Sequence, residues 1–295
     1  MVEDRSWTAR TLSTVNYTFM IMLSLLCVLP LIHIWAISLS SNMAVSSGAV
    51  TLWPADFTLD AYRYVLGKPD FLRSLGVTTK RVLIGVPINL LLVVLMAYPL
   101  SKERNVFPWR TVYAWFTVFT MLVHGGLIPT YMTIRETGIM NSVWALILPG
   151  AVPVFSVVLL LNFFRQLPKE LEEAAFIDGA GHFTLLFRII IPLSLPALAT
   201  ITLFSTVGHW NAWFDGMIFM KSPEHYPLQT YLRTIIIELD LTSLGSEDAI
   251  RLAENVSERT TRAAQIFLGS LPILLVYPFL QKYFMKGIVM GSVKG

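Results

Sequence analysis

The side chains best placed to do chemical work lie in one polar segment between two long apolar ones, Leu167 to Pro196 (LPKELEEAAFIDGAGHFTLLFRIIIPLSLP). Their work is contact between surfaces, not bond-making. Pro168 suits a first helical position, because the N–H it lacks would be orphaned there, and Glu170, Glu172 and Glu173 put negative charge at the positive end of the helix dipole. Gly179 is a natural stop or bend. From Pro168 to Asp178 such a helix runs about 16 Å at 1.5 Å per residue, short enough to lie along a membrane surface. Ala174, Ala175, Ala180 and Gly181 form a small-residue face that lets another backbone come close, and Leu171 and Phe176 are its expected buried anchors. A solvated amphipathic connector is the plainer reading of such a charged run.

A second group of polar residues sits inside apolar stretches, where they are costly and often line a cavity: His33, Asn89, His124, Asn162, His209 and Asn211. A lone His or Asn in a helix bundle is more often satisfied by a neighbouring helix. Arg73, Lys80 and Arg81 fall near one end of the second apolar stretch and read as interfacial anchors, with attraction of an anionic ligand the less favoured reading. No Gly-x4-Gly-Lys-Ser/Thr phosphate loop, His-Glu-x2-His or paired-aspartate cluster occurs, so no catalytic residues are assigned. His182 lacks partners at metal-ligand spacing, and no metal site is assigned. The one cysteine, Cys27, permits no intrachain disulfide.

The elements that must carry these residues are set by composition. With 55% hydrophobic and 14% charged residues and a mean hydropathy of +0.62, the 295-residue chain has more apolar surface than a soluble globule can bury. Six segments reach the roughly 20 apolar residues of a helical span: 17–39, 82–100, 112–131, 143–164, 193–213 and 263–280. The first lacks a small-residue cleavage site close behind it and is read as retained. With a cytoplasmic amino terminus the inside segments hold half of the 22 basic residues in short loops, which orients both termini to the cytoplasm. That leaves outside loops at 40–79, read as a compact cap with an amphipathic stretch Leu59 to Leu66, and at 215–262, with a helix start at Ser246-Glu247-Asp248. A tight hairpin is expected at 101–111, and Ser142 as N-cap of the fourth span. Most prolines in the spans are read as ordinary for membrane helices; Pro129 and Pro196 are the better kink candidates. No linker divides the chain, so one all-α transmembrane domain is expected over 1–295, with its cytoplasmic loop at 165–191. A net charge of +3 does not suggest nucleic acid.

Glu173-Ala174-Ala175, three residues, Gly179, nine residues, then Ile189-Ile190-Ile191-Pro192 resembles the signature of the membrane subunits of bacterial ATP-binding-cassette importers, Glu-Ala-Ala-x3-Gly-x9-Ile-x-Leu-Pro, with Ile191 in place of Leu. Gly126-Leu127-Ile128-Pro129-Thr130-Tyr131, Gly138, Asn141, the run Trp144 to Pro149, Trp210-Asn211 and the closing Lys286 to Gly295 resemble the carbohydrate branch. The Gly125 to Pro129 version and the stretch Leu271 to Lys282 look most like permeases for complex polysaccharide fragments, alginate among them. The resemblance implies a type I importer fold of six transmembrane helices in the bacterial inner membrane. It implies a second, unlike permease, two copies of a cytoplasmic ATPase that binds ATP and Mg, and an extracytoplasmic binding protein that delivers carbohydrate. By the same resemblance the coupling residues are Glu172, Glu173, Ala174, Ala175, Asp178, Gly179, Ala180 and Gly181. Trp210 and Trp213 join Asn89, His124 and Asn211 on the substrate path. An ion-driven secondary transporter is the rival reading; it should bury acids centrally in its spans, and none of the 19 acids lies there.

Overall fold

The computed structural model describes residues 7–234 and 258–291. Among these, every regular element is a helix, and one isolated bridge joins Ser40 to Phe57. The described residues form two compact units: one takes those up to Pro69 and 258–271, the other Asp70–Thr234 and 272–291.

In the first unit, α1 (Trp7–Ser38) is apolar all round, and from Leu12 to Ile32 its apolar side chains stand exposed. A helix can do this in hydrocarbon because its backbone bonds close within the segment. The chain then folds into the small cap expected from its turn residues. Ser41 caps α2 (Asn42–Ser46), accepting from Ala44 N, while Ala36, Ala44, Val45 and Val50 make a small core. Ser40 Oγ donates to Ala36 O and accepts from Ala55 N. The amphipathic stretch is α3 (Asp60–Gly67), whose Tyr62 hydroxyl lies 2.7 Å from Ser38 Oγ and whose ring meets Phe267 edge-on.

In the second unit the helix of the expected second span, α4 (Pro69–Ser101), begins inside the segment read as an outside loop. Its start has its own logic: proline at the first position and Asp70 in the first turn favour initiation there. Of the expected spans, α1 over Thr11–Ser38 and α4 can cross a membrane unbroken. Three others are bent pairs. α5 (Arg110–Leu122) and α6 (Leu127–Glu136) meet at 108°, α7 (Val143–Ile147) with its 3-10 extension to Gly150 meets α8 (Val154–Arg165) at 48°, and the segment His182–Leu193 meets α12 (Leu195–Asn211) at 80°.

Each bend has a local cause. Before α6 the chain passes Gly125 and Gly126, the latter at φ +86, a conformation open to glycine alone without strain. Pro149 and Pro153 bracket the second bend, so these two prolines do more than the ordinary role expected of them. The third lies at Ser194, between Pro192 and Pro196, after α10 (His182–Leu185), a π-turn over Leu186–Ile190 and α11 (Ile191–Leu193). Pro192 cannot donate an N–H to the preceding turn, and a widened turn ahead of it absorbs the misfit. Ser142 does precede α7, but its hydroxyl donates back to Ile139 O and makes no side-chain cap bond.

The signature helix is α9 (Lys169–Ile177), with Pro168 and Asp178 at its caps, one residue shorter at each end than the sequence suggests. One apolar core joins it to the spans: Val93 and Ala97 of α4, Leu160 and Phe164 of α8, Ala175 of α9, Leu185 of α10 and Ile201 of α12 pack together. After α12, α13 (Phe214–Phe219) and a 3-10 turn over Pro223–His225 lead to helical residues 228–234. The helix start expected at Ser246 lies outside the described residues. The last helix, α14 (Glu258–Gly291), covers residues 263–280, the segment expected as a sixth span; among the described residues two helices, or up to five if each bent pair counts as one, are long and apolar enough to cross a membrane.

A methyl group on Gly216 would sit 2.2 Å from Thr230 Oγ1 and 2.7 Å from Pro227 Cδ. Gly216→Ala should therefore lower stability by about 1–3 kcal/mol through overpacking, read as a fall in the thermal unfolding midpoint of the detergent-solubilised protein.

Candidate functional site

Two features hold the candidate functional residues: the α9 loop and a largely apolar cavity with a cluster of polar side chains in its wall. In α9, Glu170 and Glu172 occupy the first turn, as the helix dipole favours. The far end closes in a Schellman arrangement: Ala180 N donates to Ala175 O at 2.9 Å and Gly179 N to Phe176 O at 3.0 Å. That closure needs the left-handed φ of +80 at Gly179, which explains the glycine on this chain's own terms. Gly181 is different. Its φ is ordinary and a Cβ there would meet nothing, so no internal contact accounts for its lack of a side chain.

The small-residue face divides in two. Ala175 is buried and Ala180 packs against the same core, whereas Glu173, Ala174, Asp178 and Gly181 are exposed. The expected anchors are corrected: Leu171 and Phe176 remain about two-fifths exposed, and the helix is seated through Ala175. The reason is geometric, since a methyl fits a close helix contact that the longer chains straddle. Exposed Ile177 and Phe183 extend the open face.

Glu172 turns inward. Its Oε1 takes a hydrogen bond from Lys102 Nζ at 2.6 Å, and that ammonium also lies over the Tyr98 ring, 4.2 Å from its centroid. Tyr98 hydroxyl shares a 3.0 Å hydrogen bond with His182 Nδ1, and His182 meets Phe176 edge-on. On the outer side Lys169 pairs with Glu103 in full solvent. The hydrogen bond and charge of Lys169 hold the Glu103 carboxyl below its ordinary range, and the same contact raises Lys169.

The cavity, about 610 Å³, lies among α4, α7, α8 and α12. Arg81 is 4% exposed, which corrects its reading as an interfacial anchor. Its guanidinium grips Asp215 end-on through Nη1 and Nη2, and Nη2 also donates to Leu146 O at 3.0 Å. Arg81 Nε donates to His209 Nδ1 at 3.2 Å, which places the imidazole hydrogen on Nε2, facing Asn89 Oδ1 at 2.7 Å. Ser205 Oγ donates to the same oxygen, and Asn89 Nδ2 donates to Gly150 O and Ala151 O at 3.1 and 2.8 Å. The carbonyls at the Pro149–Pro153 bend thus receive donors from α4. Gly85 permits this approach, because a Cβ there would sit 2.6 Å from His209 Nε2.

Of the expected substrate-path residues, Asn89 and His209 line this cavity; His124, Trp210, Asn211 and Trp213 do not. His124 is exposed at the sharpest bend, Asn211 is exposed at the end of α12, Trp210 is buried, and Trp213 lies under Arg233. Asn162 is exposed, and His33 contacts Thr51 O in the first unit. Sequence reasoning missed Asp215, Ser205 and Lys102. The spacing Arg81, Gly85, Asn89 and the pair Ser205, His209 were the available signals, since residues four apart share one helix face.

The chain matches the family described as binding-protein-dependent transport system inner membrane component over residues 4–289, and it belongs to that family. It is 40% identical over 284 residues to the polygalacturonan/rhamnogalacturonan transport system permease protein YtcP of Bacillus subtilis (strain 168), covering 95% of this chain and 96% of YtcP. Protein LplC of the same strain is 40% identical over 286 residues, covering 97% and 96%. Among solved structures, a chain of a bacterial ABC transporter involved in the import of the acidic polysaccharide alginate matches with a TM-score of 0.85 at 33% identity, covering 95% of this chain and 98% of that one. The resemblance read from the Glu-Ala-Ala segment is borne out at the level of family and helical permease fold.

Removing Asp215 strands a buried guanidinium. Asp215→Ala should cost about 3–5 kcal/mol, whereas the double change Arg81→Met with Asp215→Leu should cost much less; thermal unfolding of both variants in detergent checks the order. Gly179→Ala keeps free space but strains the backbone, for an expected loss of about 1 kcal/mol, visible as faster amide exchange over residues 174–180.

Proposed function

We propose that this chain is one of two unlike permease halves of an ATP-driven importer for acidic polysaccharide fragments, with six spans, both termini cytoplasmic, and the sixth span at 263–280 of α14. The observation that carries the reading is the divided face of α9. One side, through Ala175, belongs to the core of the spans; the other offers Glu173, Ala174, Asp178 and Gly181 to a partner. A segment so built can carry force from an outside body into the bundle.

The partner is a cytoplasmic ATPase, two copies of which take ATP and Mg; this chain supplies no residues for hydrolysis. Glu173 makes a charge-assisted contact in the ATPase cleft, while Ala174 and Gly181 let its backbone come near. Closure of the ATPases on ATP draws the two coupling helices together and opens the spans outward to the loaded binding protein. ATP and binding protein shift that equilibrium only by their difference in affinity for the two states. Carbohydrate as cargo is supported by the relatives, of which one is named for polygalacturonan and rhamnogalacturonan and one serves alginate, both acidic. Asn89 and Ser205 are the polar groups of this chain nearest the cargo, in the cavity beside the Pro149–Pro153 bend. An ion-driven cycle finds no support in Asp215, whose carboxylate is already engaged by Arg81 and by Gly216 N.

The chain, isolated in mild detergent with its co-purifying subunits, should show ATP hydrolysis stimulated by a binding protein loaded with oligogalacturonate or oligoalginate and not by one carrying maltodextrin. Loss of the Glu173 contact, at about 1.5–3 kcal/mol for a hydrogen bond to a charged group, should lower stimulated hydrolysis in Glu173→Ala by about tenfold or more. Unchanged stimulation in that variant would remove α9 from the coupling path.

A further inference from the structure

Lys102 is buried at the end of α4, although a lysine in a short polar hairpin ordinarily extends into water. Its charge is met by Glu172 on one side and by the Tyr98 ring on the other. Glu172 and Phe176 are four residues apart and share one face of α9. Phe176 reaches Tyr98 through His182. Glu172 of α9 and the first residue of α10, which Phe176 packs against, therefore hold to Tyr98 of α4 and to Lys102 just past its end. The last turn of α4 is itself secured from outside: Arg110 Nη1 donates to Lys102 O at 2.5 Å and Arg165 Nη2 to Leu100 O at 3.1 Å.

We propose that Lys102 is the positioning residue of the coupling loop, the point through which displacement of α9 is passed to α4. The proposal rests on the reading of α9 as the ATPase contact. Its physical basis is the difference between the two ion pairs that join the segments. Glu103 and Lys169 lie in solvent, where water replaces either partner at little cost. Separating Lys102 from Glu172 leaves an ammonium buried without its counter-charge, so this pair resists shear. Under load the outer pair gives way and the inner one holds. The same α4 carries Arg81, Gly85 and Asn89 into the cavity, so movement taken up at Lys102 arrives at the cavity wall along one helix.

The test uses the complete importer in lipid nanodiscs, with loaded binding protein. The readouts are the ratio of stimulated to basal hydrolysis and the cargo moved per ATP in vesicles. Lys102→Met should lower both by at least about fivefold, a coupling loss at the low end of the usual range. Lys102→Arg, which keeps the charge, should retain most of the ratio, and Tyr98→Phe, which deletes only the hydroxyl facing His182, should lower it less than Lys102→Met. In a Cys27→Ala background, Glu103→Cys with Lys169→Cys joined by a short bis-methanethiosulfonate cross-linker, which forms a reducible disulfide with each thiol and releases methanesulfinate, replaces the buried tie with an outer one. It should restore the ratio in Lys102→Met when linked and lose it on reduction, an effect that mere stabilisation of the fold would not reverse. If Lys102→Met does not assemble, the Tyr98→Phe ratio decides the matter: no loss there overturns the proposal. A normal ratio in Lys102→Met beside a lost ratio in Glu173→Ala overturns the role of Lys102 and leaves α9 as the ATPase contact. Normal ratios in both overturn both.

Discussion

A backbone that bends within an apolar bundle must find hydrogen-bond partners for the groups the bend sets free, and this constraint organises the second unit. The bend between α7 and α8 exposes carbonyls around Pro149 and Pro153. Arg81 and Asn89, eight residues apart on α4, supply the donors, and His209 and Ser205 of α12 hold Asn89 in place. The helix that crosses the unit unbroken thereby fixes two that do not. Replacing any one of these side chains would leave others unsatisfied, so the group stands or fails together.

The opposite end of α4 repeats the principle with different chemistry. There Glu172 of α9 and His182 of α10 are drawn against Lys102 and Tyr98, while Ala175 enters the same apolar core as the spans. The loop is therefore an outgrowth of the bundle with one wet face. This arrangement distinguishes it from a flexible connector, whose residues would make few contacts of their own.

The local chemistry of α9 is legible in the amino-acid sequence alone: proline, acids in the first turn and a terminal glycine specify a short helix whatever surrounds it. The family is legible for the same reason, because its signature lies in that helix. The breaks in the spans are half legible. Gly125-Gly126 and the paired prolines mark where a helix is weak, but the angle depends on what packs beside it, and a hydropathy window passes through a 108° turn unaware. Least legible are the pairings across long separations. Arg81 with Asp215 and Lys102 with Glu172 obey no spacing rule; taken alone, Arg81 reads as an anchor at the water interface and Lys102 as part of a polar hairpin. Leu171 and Phe176 mislead for a related reason: size suggests burial, yet at close approach the smaller Ala175 wins.

Asp215 already answers the charge of Arg81, and the wall they share presents a dipole instead of a free cation. A polyanion sliding past would feel neither a trap nor a repelling field. Passage through a channel asks that each resting place be shallow enough to leave, and on the proposed reading of this cavity as part of the cargo's path, a guanidinium already paired with Asp215 keeps it shallow.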